Sequence, residues 1–232
     1  MTQSRHGQFS SSQVSALMSN GKTTGSEGVP FYKYIDQKKN EIKAGRQLSN
    51  QVRAVEFDWG NMCEAIAFAE INDFDYQLVS EKFRYQHPTF ALTGVPDYLV
   101  KSKKKVGDIK CPWTLNSFFD LIKLDTAQKL EKEKPEYFWQ LVSNAILTGS
   151  EVCELAIFMP TKSMISTIQH ISEQSLMNED STKHYYFHKK NINEMPWTLD
   201  MATIHKMEFA LTSEMVERFN FRLEKATNLL RT

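Results

Sequence analysis

No stretch of the 232-residue chain approaches the ~18 consecutive apolar residues that a membrane span requires. Residues 1–20 contain no apolar signal region. Cysteine is scarce: Cys63, Cys111 and Cys153 lie far apart, are odd in number and lack CxxC spacing. That argues against a disulfide framework and a structural zinc site, and it fits a reducing compartment. A cytoplasmic protein is expected on these grounds. The six histidines show no ligand spacing. Excess charge of one sign is missing too, with 28 basic against 28 acidic residues. Phosphate contacts need Lys and Arg, so composition alone does not select a nucleic-acid partner. A neutral chain can still segregate its charge, with carboxylates in a pocket and cations elsewhere. Internal repeats and long low-complexity tracts are also missing.

What the chain does have is apolar mass: 41% of residues, among them 15 Phe and 10 Met. That suffices for a real core, and a single domain over residues 1–232 is expected. Residues 20–30 (NGKTTGSEGVP) read as a loop. Short helices are expected over 12–19 and 32–43, and a stronger one over 52–71, where Met62, Ile66 and Ala69 recur at helical steps. The period then changes. Residues 74–85, 89–92, 98–101 and 105–110 read as strands joined by turns. Helices are expected over 114–130 and 135–147, with Pro135 in a first turn and Gly149 as a stop. Residues 152–159 (VCELAIFM) read as a buried strand and 183–189 as an edge strand, with the polar stretch 172–183 as a loop. Residues 199–230 carry Ile204, Met207, Leu211, Met215, Phe219 and Leu223 at helical spacing, so a long C-terminal helix is expected. This order implies an α/β domain with a mixed central sheet flanked by helices.

The chemistry concentrates in residues 93–111, TGVPDYLVKSKKKVGDIKC. Pro96 fixes the backbone before Asp97, and ten residues intervene before Asp108. Strand side chains alternate, so Asp108 and Lys110 share a face while Ile109 points to the core. A hairpin would bring Asp97 beside Asp108. Close carboxylates repel unless a cation lies between them. Mg²⁺ takes oxygen ligands of this kind, one or two carboxylates plus water and substrate phosphate. Lys110 would orient the attacking water or stabilise charge on the phosphate. The Ile109 carbonyl is a further candidate ligand. Taken alone, an Asp-x-Lys strand is more often a solvated face than a catalytic one.

Further motifs add to it. Pro-Asp followed by Asp-x-Lys resembles the PD-(D/E)xK nuclease superfamily, whose core is restriction-endonuclease-like. Residues 60–67 (GNMCEAIA) resemble its acidic helical motif and point to Glu64. Residues 137–149 (YFWQLVSNAILTG) resemble the helix whose glutamine reaches the site, here Gln140. Residues 5–14 (RHGQFSSSQV) resemble the N-terminal motif of the lambda-exonuclease-like (YqaJ-type) viral exonuclease branch, here Arg5 and Ser12. The resemblance spans residues 5 to about 160 in the family's order; the last seventy residues match only in helical character.

The resemblance implies a Mg²⁺-dependent exonuclease (Mn²⁺ in its place) on double-stranded DNA, digesting from the 5′ end in phage recombination or DNA repair. It implies a ring trimer and a single-strand-annealing partner, in the cytoplasm of a bacterial host if phage-encoded. Asp97, Asp108, the Ile109 carbonyl and Glu64 would hold the metal, with Lys110 and Gln140 at the nucleophile and Arg5 and Ser12 at a terminal phosphate. Relatives often place a small hydroxyl residue two positions before the motif aspartate; here it is Val95, which bears on the 5′-phosphate step. Three cysteines cannot supply the four-cysteine iron–sulfur cluster of another branch. Cys111 reads as a buried strand-end residue.

The run 101–105 (KSKKK) is expected in the hairpin turn, where Lys103, Lys104 and Lys105 would contact the DNA backbone or form a solvated turn. Ser12 reads equally as a plain helix cap. Trp59, Trp113, Phe118 and Phe119 read as core before DNA contacts. Two other readings stand beside the exonuclease: an endonuclease of the same superfamily, and a non-catalytic DNA-binding module.

Overall fold

The computed structural model of the protein describes residues 6–48, 55–71, 75–79, 83–178, 185–199 and 203–232. The elements run β1 (Phe9–Ser10), a 3-10 helix (Ser11–Ala16), α1 (Val29–Ala44), α2 (Val55–Ile71), β2 (Tyr76–Leu78), β3 (Tyr85–Gln86), β4 (Leu92–Gly94), β5 (Tyr98–Val100) and β6 (Lys105–Lys110). They continue with α3 (Leu115–Ile122), α4 (Ala127–Glu133), α5 (Pro135–Thr148), β7 (Val152–Phe158), α6 (Met164–Met177), β8 (Ile204–Ala210) and α7 (Ser213–Arg231). This is the expected α/β architecture.

The principal sheet has the order β2-β5-β6-β7-β8. Its β6–β7 pair is parallel and its other pairs antiparallel, which makes it mixed. A parallel pair needs a long crossover, and α3, α4 and α5 supply it. A second, small sheet runs β1-β4-β3. β6 and β7 lie inside the sheet and are covered on both faces; β7 reads accordingly as a run interrupted only by Glu154, whereas β6 carries Lys105, Asp108 and Lys110 among its apolar residues. Alternation sends Val106, Leu155 and Ile157 into one core with Leu141, Val142, Phe219 and Leu223. Ile109, Ala156 and Phe158 enter the other core, with Trp59, Met62, Ile165 and Ile168. Asp108 and Lys110 therefore share the α5 side.

α5 obeys the expected rules at both ends: Pro135 opens its first turn, and Gly149 closes it in the left-handed region at φ 68°. Beneath β5 a buried polar network forms. The Tyr98 ring lies over Gly107, where a Cβ would collide with it. That clearance lets Tyr98 Oη donate to Glu154 Oε1 at 2.6 Å. Lys105 Nζ donates to Glu154 Oε2 at 2.7 Å and pairs also with Glu208.

Several expected elements come out differently. Residues 114–130 form two helices, because Thr126 Oγ1 accepts from Lys129 N at 3.2 Å and caps a fresh start. Residues 204–210, expected as helix, form β8. There Met207 and Phe209 turn inward while Lys206 and Glu208 face solvent, a two-residue period hidden under the helical spacing. β7 also has an edge to hydrogen-bond, and β8 pairs with it along its whole length. The C-terminal helix begins only after Thr212, which accepts from Met215 N.

Residues 185–189 are not an edge strand. Phe187 is buried against Trp59 and Trp113, and a 3-10 turn spans Phe187–Lys189; residues 183–184 lie outside the described residues. Residues 172–177, expected as loop, are the last turns of α6. The expected strand over 74–85 is split into β2 and β3, residues 89–91 precede β4, and the expected helix over 12–19 is the shorter 3-10 helix.

The buried pair yields a test. Lys105→Met leaves Glu154, fully buried, without its main counter-charge. Urea denaturation is expected to show a loss of about 3–5 kcal/mol, with much of it regained on adding Glu154→Gln. Lys105 and its partners hold the Glu154 carboxyl below its ordinary value despite burial. Its contribution is thus present at neutral pH and fades as pH falls through that depressed folded value.

Candidate active site

The chain leaves β4 at Gly94, passes Val95 and Pro96, and enters β5 after Asp97. Both the backbone and the side chain of Asp97 are tied to β6. Its amide donates to the Gly107 carbonyl at 3.2 Å. Its Oδ2 accepts from the Ile109 amide at 2.5 Å. The hairpin therefore brings Asp97 to the end of β6 that carries Asp108 and Lys110.

Asp108 is buried at 1% exposure. Its Oδ1 accepts from Gln140 Nε2 at 2.7 Å, and its Oδ2 pairs with the Lys110 ammonium. Lys110 Nζ in turn donates to Gln140 Oε1 at 3.3 Å. One amide orientation of Gln140 thus serves both strand residues, donor to the carboxylate and acceptor from the ammonium. Tyr137, one turn earlier on α5, places its ring 5.0 Å from Lys110 Nζ. Tyr137 was not among the expected site residues; its place three residues before Gln140 on a helix was the available signal.

Burial, then the Asp108 charge, then Glu64 raise the Asp97 carboxyl well above the ordinary carboxylate range. Burial alone would lower Lys110, but Asp108 and Asp97 outweigh it and hold the ammonium above its usual value. Crowded, buried negative charge of this kind calls for a cation. Asp108 Oδ2 accepts no well-aligned hydrogen bond, although the ammonium lies beside it. Among the described residues no three His, Cys, Asp or Glu side chains converge as metal ligands. Glu64 on α2 acts on Asp97 through its charge without joining such a set. A pair of carboxylates, with waters and substrate phosphate completing the shell, is nonetheless a donor set that fits Mg²⁺. The Ile109 carbonyl stands between the two strand residues.

Other expected residues fall at varied places. Ser12 is exposed on the 3-10 helix, in an open cleft of about 550 Å³ lined also by Ser15, Lys33 and Gln37. Its neighbour Ser11 meets Ser143 of α5, Oγ to Oγ at 2.9 Å, three residues beyond Gln140. Arg5 lies outside the described residues. Val95 is half-buried. Gly94 beside it packs so closely on Ser11 and Asn144 that a Cβ would collide with both.

Lys103 and Lys104 are exposed in the hairpin turn, Lys104 paired with Glu151 at 2.5 Å. Lys105 is not part of that exposed group: it points inward, 4% exposed, into the Glu154 network. The turn lies at the far end of the hairpin from Asp97, with Lys104 four residues, or roughly 13 Å of strand, from Asp108. Trp59 and Phe118 are core, Trp113 is half-buried, and Phe119 is exposed. Cys111 is shielded, and burial raises its thiol well above its ordinary value, so it is a poor nucleophile.

The chain shares this fold with known exonucleases. An alkaline exonuclease (LHK-Exo) from Laribacter hongkongensis superposes with a TM-score of 0.62 at 17% identity, covering 98% of this chain and 89% of that one. A structure of that enzyme in complex with dAMP matches equally well. A phage-related exonuclease from Haemophilus somnus 129PT gives a TM-score of 0.62 at 15% identity, covering 96% and 93% of the two chains. No family model and no curated protein sequence matches the chain. Among the described residues, no helix is long and apolar enough to cross a membrane.

The charge crowding at Asp97 has a measurable consequence. Asp97→Asn removes a half-buried, largely desolvated charge that faces Asp108 and Glu64. In metal-free buffer the variant is expected to be more stable than wild type by about 0.5–2 kcal/mol at neutral pH, read by thermal or urea unfolding. The native state binds this proton more readily than the unfolded chain does. Wild-type stability therefore declines as pH rises from ~3.9 towards the raised folded value, and the variant lacks that decline.

Proposed function

We propose that the protein is a divalent-metal-dependent exonuclease that hydrolyses phosphodiester bonds of linear double-stranded DNA. The observation that carries this reading is the Gln140 amide joining Asp108 to Lys110, beside Asp97, in a fold shared with two exonucleases. Asp97 and Asp108 would hold Mg²⁺, or Mn²⁺ in its place, with the Ile109 carbonyl, and with Glu64 acting at longer range. Such an ion, when bound, polarises a scissile phosphate and lowers the pKa of a water.

The chain's own groups supply the rest. Lys110 stays cationic at neutral pH because Asp108 and Asp97 stabilise its charge. It is thus a donor to a water or to a phosphate oxygen, not a base. Gln140 fixes where that ammonium stands, and the Tyr137 ring closes another side of it. Ser12, with Arg5, would take a terminal phosphate, and the exposed Lys103 and Lys104 would meet the backbone at a distance from the cut. The 5′ to 3′ direction, the ring trimer, the annealing partner and the role in phage recombination or repair rest on the resemblance of the sequence motifs.

Incubation of end-labelled linear duplex with Mg²⁺ tests the reading. Wild type is expected to release nucleotides from the ends. Asp108→Ala and Lys110→Ala are expected to lose at least about 10³-fold in rate and Gln140→Ala about 10²-fold, all with native circular dichroism. Full activity in the Lys110 variant sinks the assignment. Covalently closed circular DNA is expected to stay intact; if it is cut, the protein is an endonuclease. Failure of calorimetry to detect Mg²⁺ or Mn²⁺ binding would instead support the non-catalytic module.

A further inference from the structure

A protein of zero net charge that handles DNA must concentrate its cations somewhere. Many lysines are already spoken for: Lys123, Lys129, Lys132 and Lys134, on or next to α3 and α4, each pair with a nearby acid. Lys162, Lys189 and Lys190 differ. None has a carboxylate within ion-pair distance among the described residues. Each lies over an aromatic ring instead: Lys162 is 5.1 Å from the Trp197 centroid, Lys189 is 5.6 Å from Tyr186 and Lys190 is 5.8 Å from Trp113. An exposed interaction of this type is worth only about 0.5–1 kcal/mol. It orients the ammonium and leaves its charge unneutralised.

These lysines and their rings come from three chain segments, two carrying the lysines and the third Trp113, that meet at one end of the principal sheet. β6 and β7 are parallel neighbours, so both end on the same side. Residues 111–113 follow Lys110 there, and Pro160–Lys162 follow β7. The Thr198 amide donates to the Pro160 carbonyl at 2.9 Å, which brings the Trp197 segment alongside. The Phe187 ring packs 5.7 Å from Trp113 and 5.5 Å from Trp59, which brings Lys189 and Lys190 alongside as well. Segments 111–117, 159–172 and 185–199 contain a single acid, Glu194. Trp113 is three residues from Lys110, a reach of at most ~11 Å. This end of the sheet also lies at the carboxyl ends of parallel strands, where open α/β sheets bind ligands.

We infer that this lysine–aromatic rim, Lys162, Lys189 and Lys190 on Trp197, Tyr186 and Trp113, seats the phosphate backbone of duplex DNA next to the candidate active site. The inference rests on the nuclease reading for its partner. Its chemistry is independent of cleavage: ammonium groups exchange ring faces for phosphate oxygens and release condensed counterions. The hairpin-turn lysines, at the other end of β6, are a less direct seat for DNA at the site.

The test is binding without cleavage. A fluorescent blunt duplex is titrated with full-length protein in EDTA at several salt concentrations, and anisotropy is read. Every phosphate that the protein ceases to neutralise flattens the log K against log salt slope by about 0.9, so Lys162→Glu/Lys189→Glu/Lys190→Glu is expected to flatten it by about 2–3. Lys101→Glu/Lys103→Glu serves as the comparison, and thermal melts confirm folding. The triple Lys→Gln variant replaces the Glu variant if that one does not fold. An unchanged slope in the rim variant overturns the inference, as does a flatter slope in the turn variant alone. Cleavage by wild type with Mg²⁺ is scored separately. A rim that binds DNA on a protein that cuts nothing overturns only the nuclease reading, and a cutting enzyme with an unchanged rim slope overturns only the rim.

Discussion

Two carboxylates that repel one another, Asp97 and Asp108, are held together by the hairpin itself. The Ile109 amide donates to Asp97, the Asp97 amide donates to Gly107, and β6 delivers Asp108 one position away. The cost of this crowding shows in the raised carboxyl of Asp97. A backbone donor is well suited to meet that cost, because it cannot swing aside as a side chain can. Much else in the domain serves to keep this hairpin fixed. β6 is central in the sheet, β7 pairs with it in full register, and the Tyr98–Glu154–Lys105 network anchors its underside. The polar network and the site occupy opposite faces of the same strand, one satisfied by its own partners and the other left with negative charge to share.

α5 is the second support. It is both the last helix of the crossover that makes β6 and β7 parallel and the carrier of Gln140 and Tyr137. A helix needed for topology thus also presents the groups that position Lys110. Its Pro135 start and Gly149 stop set its ends, and the burial of Phe138, Leu141, Val142 and Ala145 sets the face that meets the sheet, so Gln140 is carried beside Asp108.

The class of the fold was legible in the sequence, and so was the grouping of four candidate site residues. Asp97, Asp108, Lys110 and Gln140 do meet, because strand alternation and hairpin spacing are local rules that the sequence displays directly. Glu64 was placed on the right helix, but its distance from the carboxylate pair depends on how α2 packs, which no local spacing encodes. Lys105 was misassigned because its run of lysines looks uniform in sequence; only the pairing with β7 turns it towards Glu154. β8 was hidden for a related reason. Met207 satisfies both a helical and a two-residue period, and the unpaired edge of β7 decides between them. Lys162, Lys189 and Lys190 carried no sequence signal, since their grouping arises where distant segments meet at one end of the sheet.

The docking of Ser11 on Ser143 has a consequence for scale. The 3-10 helix, through Ser11, and the glutamine that holds Lys110 meet one helix, α5, at positions three residues apart, or roughly 4.5 Å of helical rise. The 3-10 helix and the carboxylate strand are therefore linked through α5 and not only through the chain between them. Anything that contacts the exposed side of the 3-10 helix is thereby referred, through α5, to the strand that carries Asp108.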